Sequence, residues 1–157
     1  MAAVTWQAFV ETQLLASKAC AQACIISAED GVPWAYSKGF VPRRYPAQIM
    51  QDDGAEVPIE VDERVLLSRL MATGAKGPEG LRINAKKYMV VRTIPSPLTI
   101  YGKVPQGGAC FTRTEKAIVI GTYQEGVSSG PGACNVAVEK LGEYLREKGY
   151  AVPVAVV

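Results

Sequence analysis

Four thiols and no imidazole limit the covalent chemistry open to this chain. Cys20, Cys24, Cys110 and Cys134 are candidate nucleophiles, but 157 residues without a His contain no Ser-His or Cys-His pair to activate one. Lys18 stands near Cys20 and Cys24 without the imidazole that usually draws off the proton. No two cysteines form a CxxC pair, and their spacing fits no zinc module. Carboxylates are scattered, without the apolar flanks that would suggest a buried acid pair. The glycine-rich run 102–108 lacks the GxxxxGK[ST] pattern and leads into a strand rather than a helix. The expectation is a protein with no catalytic residue, no metal and no cofactor.

Charge narrows the partners. Seventeen Lys+Arg against 15 Asp+Glu leave a net +2, which argues against nucleic acid held on a broad basic surface. The start of the chain has no basic stretch followed by an apolar one, and no run of 18 apolar residues occurs. A cytoplasmic protein with reduced thiols is therefore expected.

The elements follow from periodicity. Trp6, Phe9, Val10 and Leu14 recur at helical spacing and predict a helix over 6–16, with Thr5 as N-cap and Val4 stapled on Phe9. Residues 21–28 and 32–37, separated by Glu29-Asp30-Gly31, predict a hairpin, with Pro33 at a strand start or edge. Residues 41–80 are irregular. A short helix over 46–51, opened by Pro46, and a longer one over 60–71 are predicted within them. The longer helix has Val61, Val65, Leu66 and Leu70 on one face, a Glu60–Arg64 pair, and Gly74 as terminator. The acidic stretch 52–56 reads as a solvated loop. Short runs at 81–84, 88–93, 98–102, 109–113 and 117–123 predict an antiparallel meander. A last helix opens at Pro131, carries Val136, Val138, Leu141, Tyr144 and Leu145 on its apolar side, and stops at Gly149. The apolar tail 151–157 follows. Together these make a single α+β domain over 1–157.

Several of these segments resemble profilin, the small actin-monomer-binding family. Thr5-Trp6-Gln7-Ala8-Phe9-Val10 resembles its N-terminal Trp-Gln-x-Tyr-Val helix, and Asp30-Gly31-Val32-Pro33-Trp34-Ala35 its Gly-x-Val-Trp-Ala strand. Lys87-Tyr88-Met89-Val90-Val91, Gln124-Glu125-Gly126-Val127 and the run from Cys134 to Leu145 match later family motifs in order. The likeness covers 4–40 and 80–150. Segment 41–76 is longer than in ordinary profilins, resembles that of trypanosomatid-type protists, and reads as an insertion.

The resemblance implies an antiparallel sheet with the N- and C-terminal helices packed together on one face and the shorter helices of the insertion on the other. It implies three partners: monomeric actin, proline-rich segments such as those of formin-type elongation factors, and phosphoinositide headgroups. By periodicity alone Trp6, Phe9, Trp34, Tyr144 and Tyr150 are core aromatics. The resemblance makes them a proline-binding groove, whose rings stack on prolyl rings while polar tips donate to free carbonyls. Phe9 stands where the family usually has Tyr and loses one donor. Carry-over assigns actin contacts to Lys87, Val90, Arg92, Lys103, Val127, Gly130 and Asn135. It assigns lipid contacts to Lys86, Lys87, Arg92, Lys103 and Arg113. Tyr101 stands where the family commonly has Arg, and the loop 128–133 is longer than in animal members.

Overall fold

A computed structural model describes residues 5–16, 18–128 and 130–148. Its centre is a seven-stranded antiparallel sheet. The strands are β1 (Gln22–Ser27), β2 (Pro33–Tyr36), β5 (Leu81–Ile83), β6 (Lys86–Pro95), β7 (Leu98–Val104), β8 (Gly107–Arg113) and β9 (Ala117–Gln124), in spatial order β2-β1-β9-β8-β7-β6-β5. Strands β5 to β9 are the expected meander. The hairpin β1–β2 joins it through β1 against β9, with Ile25 opposite Val119. Pro33 opens β2 at the sheet edge, where a missing N–H costs no ladder bond.

Alternation along the strands divides the core in two. Ile26, Ile100, Phe111, Ile118 and Ile120 point to one side of the sheet, and Ala23, Ile25, Cys110, Ala117 and Val119 to the other. The second side is covered by the chain ends. These are α1 (Trp6–Phe9), the π-helical segment Val10–Leu15 that continues it, and α3 (Pro131–Lys148). The first side is covered by α2 (Glu63–Thr73) and a separate hairpin of β3 (Arg44–Met50) and β4 (Glu56–Asp62). The α+β fold, with terminal helices together on one face, is as expected.

Local departures have local causes. The N-terminal helix is α-helical for one turn only. Thr5 caps it, accepting from the Ala8 N–H at 3.0 Å. Thr12 Oγ1 then donates to the Ala8 carbonyl at 2.7 Å, competing for a backbone acceptor where the turns widen. Val4, its expected staple, and Gly149, Tyr150 and the tail lie outside the described residues.

The predicted helix over 46–51 is instead β3. Tyr45, Ala47 and Ile49 alternate inward, opposite Val61, Ile59 and Val57 of β4, and Pro46 sits on a strand with an open edge. The predicted helix over 60–71 begins later, at Glu63. Asp62 caps it by accepting from the Arg64 and Val65 N–H groups, and Gly74 ends it at φ 82° as expected. Glu60 therefore lies on β4 and pairs with Arg44 across the hairpin, not with Arg64, and Val65 faces outward. Val136 of α3 likewise faces outward.

Two glycines let α3 lie close on the sheet. A Cβ on Gly142 would stand 2.6 Å from Thr112 Cγ2, and one on Gly121 would stand 2.6 Å from Val138 Cγ2. Arg146 then pins the last turns of α3. Its guanidinium donates to Thr112 Oγ1 at 2.7 Å and to the Arg113 carbonyl at 3.0 Å.

Candidate functional site: an aromatic row and a cationic strand end

Packing α1 against α3 and β2 brings four of the five sequence-distant aromatics into one row. Trp34 and Trp6 have ring centroids 5.1 Å apart, Trp6 and Phe9 5.7 Å, and Phe9 and Tyr144 5.9 Å, the last two pairs edge-to-face. Gln7 fixes α1 against the sheet edge. Its side-chain amide donates to the Tyr36 carbonyl at 2.9 Å and accepts from the Tyr36 N–H at 3.1 Å, as a neighbouring strand would.

The row is graded in depth. Trp6 and Phe9 are 2% and 6% exposed and form its floor, Trp34 is half-buried, and Tyr144 is 39% exposed. Beside Tyr144, a cavity of about 340 Å³ is lined by Phe9, Gln13, Lys140 and Leu141, and Lys148 Nζ lies 5.8 Å over the Tyr144 ring. Tyr150, the fifth aromatic, lies outside the described residues.

The cationic residues gather at the other end of the sheet, on β6 and β7. Met89 pairs with Lys103, and Arg92 pairs with Tyr101. A bulge between Val90 and Arg92 inserts Val91 and restores Arg92 to the face that carries Tyr101. Lys87, Arg92 and Lys103 are exposed, as are Met89 (66%) and Val91 (54%). Among the described residues the ion pairs are Arg44–Glu60 and Arg69–Glu79, so none of these three cations is neutralised by a near carboxylate there.

An open cleft of about 700 Å³ runs under this edge. Lys76, Lys87 and Lys103 line it over an apolar wall of Leu81, Tyr88, Met89 and Val104. A neighbouring hollow of about 490 Å³ is bounded by Lys103, Tyr123, Ser128 and Gly130, next to the exposed Val127. Asn135 follows on the first turns of α3, half-buried, with its side-chain oxygen shielded from solvent.

Two carried-over residues do not join this group. Val90 packs, partly buried, against the core on the α2 side of the sheet, because residues alternate across β6. Arg113 points the same way and donates to the Met71 carbonyl at 3.1 Å, serving the last turn of α2. Lys86 opens β6, paired with Ile83, and lines a separate, more polar hollow. Tyr101 binds inward. Its hydroxyl donates to Glu139 Oε1 of α3 at 2.8 Å, and burial together with that carboxylate pushes its pKa up to about 12.

One residue with strong electrostatic character had no sequence signal of its kind. Glu63, at the first turn of α2, is fully buried. Its carboxylate accepts from the Arg43 N–H at 2.8 Å, the Tyr45 hydroxyl at 2.8 Å and the Ala85 N–H at 2.9 Å. Burial raises its pKa, and these donors oppose the rise. Its position directly after the Asp62 cap was the available clue. Arg43 and Tyr45 lie at the start of β3 and Ala85 in the β5–β6 turn, so Glu63 ties the β3–β4 hairpin and that turn to α2.

The comparisons agree with this geometry. The Profilin family model matches residues 4–150. Acanthamoeba castellanii profilin II is similar at 30% identity, over 92% of this chain and 99% of its own, with a TM-score of 0.66. Schizosaccharomyces pombe profilin is similar at 26% identity, with the same coverages and a TM-score of 0.69. The fold recurs in mouse profilin IIa, in complex with a double repeat from the FH1 domain of mDia1, at 21% identity, 92% and 99% coverage and a TM-score of 0.61. It recurs also in LokiProfilin2, in complex with rabbit actin, at 14% identity, 88% and 93% coverage and a TM-score of 0.53.

Proposed function

The chain belongs to the profilin family, and from that premise we propose that it holds monomeric actin at the β6–β7 end of its sheet and proline-rich segments on the aromatic row. The observation that carries this reading is the placement of the two surfaces. Trp34 lies on the edge strand β2 and Lys103 on β7, with β1, β9 and β8 between them. Four strand spacings separate them, roughly 19 Å, enough for two partners to be held together. A formin-type elongation factor bound at one end would raise the local concentration of actin bound at the other. This role asks for no covalent step, and it places the protein in the cytoplasm with the actin cytoskeleton.

The aromatic row suits a polyproline II ligand. Flat prolyl rings would stack on Trp34 and Tyr144, held in place by Trp6 and Phe9 beneath. The Tyr144 hydroxyl is a donor for ligand carbonyls. Phe9 supplies its ring but no hydroxyl. At the other end, Lys87, Arg92 and Lys103 would orient an acidic partner, and Met89, Val91 and Val127 supply the apolar contact. Gly130 and Asn135 border that surface. A phosphoinositide headgroup would be drawn to Lys87, Arg92 and Lys103, with Lys86 at the margin and Arg113 taking no part.

The bound structures of mouse profilin IIa and LokiProfilin2 support this reading by analogy of fold. The test is retention of the full chain on a poly-L-proline column together with its effect on polymerisation of monomeric actin. Retention with slowed polymerisation is expected. Retention with no effect on actin would leave a proline-binding scaffold, an outcome motivated by Tyr101 being engaged with Glu139 and Val90 facing the other core.

A further inference from the structure

We infer that Cys20 and Cys134 form a reversible dithiol–disulfide site that locks the N-terminal segment to α3. Their Sγ atoms lie 3.4 Å apart although the residues are separated by 114 positions in sequence. A disulfide brings the sulfurs to about 2.05 Å, so closure needs an approach of about 1.4 Å shared by two side chains. Cys20 sits at the entrance to β1, where its N–H donates to the Leu14 carbonyl at 3.0 Å, and Cys134 lies in the first turn of α3.

The fold makes room for the pair. Gly121 of β9 lies beneath it, and a Cβ there would stand 2.7 Å from Cys20 Sγ and 3.4 Å from Cys134 Sγ. Cys110, opposite Gly121 on β8, belongs to the same core, whereas Cys24 faces the core on the α2 side. Cys20 and Cys134 are therefore the thiols set for each other, and Cys110 is the one competitor among the described residues.

The oxidant is a peroxide. One thiol attacks a peroxide oxygen, the O–O bond breaks, and water leaves, giving a sulfenic acid. The second thiol attacks that sulfur and expels a second water. The two sulfurs lose two electrons and two protons, and hydrogen peroxide is reduced to two waters. A hydrogen bond donated to Cys20, together with burial, holds the Cys134 thiol protonated, so Cys20, at the outer end of the pair, is the sulfur that reacts first. It becomes reachable when the bond from its N–H to the Leu14 carbonyl breaks. Oxidation is then slow, and so is reduction.

The bond would join the segment carrying Trp6 and Phe9 to the helix carrying Tyr144. Any consequence for proline binding rests on the reading above, but the bond itself does not. The test is treatment of the folded full chain with hydrogen peroxide, followed by non-reducing peptide mapping. The expected product loses two of its four thiols, has a mass lower by about 2 Da, and yields one cross-linked peptide containing Cys20 and Cys134. Its thermal midpoint rises by several degrees and returns on treatment with dithiothreitol.

Cys24→Ser should keep the cross-link, and Cys20→Ser and Cys134→Ser should abolish it. Mapping of the wild-type chain decides the matter even if a variant fails to fold. A bond to Cys110, oxidation only in urea, or oxidation to sulfinic acid without a cross-link would overturn the site. The cross-link without poly-L-proline retention in either redox form sinks the ligand reading alone. Retention without the cross-link sinks the thiol site alone.

Discussion

The two sides of the central sheet are closed by different chemistry. On the α2 side the helix cover is aliphatic, with Leu66, Leu67, Leu70 and Met71 packed on Ile26, Ile100 and Ile120, and Glu63, the one buried charge among the described residues, is satisfied by three donors. On the terminal-helix side the cover is aromatic and stepped, running from Trp6 at 2% exposure to Tyr144 at 39%. A surface that only holds a protein together gains by hiding its rings and satisfying its charges. A surface that binds must leave ring faces and cations partly open. On the proposed function, the difference teaches that the α2 side serves stability and the terminal-helix side gives up complete burial for recognition.

The sharpest way to break this contrast is Trp6→Ala. Trp6 belongs to the binding row by neighbourhood and to the core by burial. Its removal should cost about 3–5 kcal/mol, read as a lowered urea midpoint, and should abolish poly-L-proline retention at the same time. A loss of retention with an unchanged midpoint would show that Trp6 is a surface ring, and the stepped arrangement would be wrong.

Glu63→Ala should act on the other side with a smaller cost, about 3 kcal/mol, because it empties a buried site and leaves three part-buried donors without their acceptor. Poly-L-proline retention of the folded fraction should not change. The raised pKa gives this residue a pH signature. The folded state holds the Glu63 proton more tightly than the unfolded chain does, so its contribution to stability is fully present below the unfolded pKa of 4.5 and is lost as pH rises through the folded value. Wild type should therefore gain stability relative to Glu63→Gln as pH falls from 7 toward 5 in urea titrations. A difference that stays flat would mean the carboxylate is no harder to ionise in the fold than outside it.

Tyr144→Ala tests the open end of the row. Its ring is exposed enough that stability should fall by less than about 1 kcal/mol, while affinity for a proline-rich peptide should drop about tenfold, or about 1.4 kcal/mol, measured by tryptophan fluorescence. A stability loss equal to that of Trp6→Ala, with binding retained, would make the whole row core.

The contrast also explains what was legible in the sequence. The terminal helices announced themselves by one apolar face at helical period, and the meander by short apolar runs between turns, such as β9, whose Ile118 and Ile120 enter one core and Ala117 and Val119 the other. The ring row could not be read from spacing, because Trp34 and Tyr144 meet α1 only through tertiary packing. It needed the family likeness. The β3–β4 hairpin was misread because Pro46 suits a helix start, and that local signal outweighed the alternation of Tyr45, Ala47 and Ile49. Glu63 escaped because a carboxylate after a capping Asp looks like any solvated first turn. Its burial depends on Arg43, Tyr45 and Ala85, all distant in sequence. Val90 and Arg113 were placed with the cations by carry-over from the family, and side-chain alternation, with a bulge in β6, separated them.

Lys103→Glu gives the smallest effect on stability and the most selective effect on function. Lys103 is exposed, takes part in no ion pair among the described residues, and stands beside Met89 across the β6–β7 ladder. Reversing its charge should move the urea midpoint by no more than about 0.5 kcal/mol in equivalent stability. The same change puts a carboxylate among Lys87, Arg92 and the open apolar residues, where an acidic partner would have to dock. Actin binding should weaken mainly through a slower association rate, with the difference shrinking as salt is raised, and poly-L-proline retention should be untouched because Trp34 lies beyond β8, β9 and β1 and Tyr144 packs on Phe9 of the N-terminal helix. If Lys103→Glu weakened both ligands equally, the two ends of the sheet would not be independent sites. If it weakened neither while Tyr144→Ala weakened proline binding, the cations of β6 and β7 would be ordinary solvated strand residues, and the terminal-helix side would carry one recognition surface instead of two.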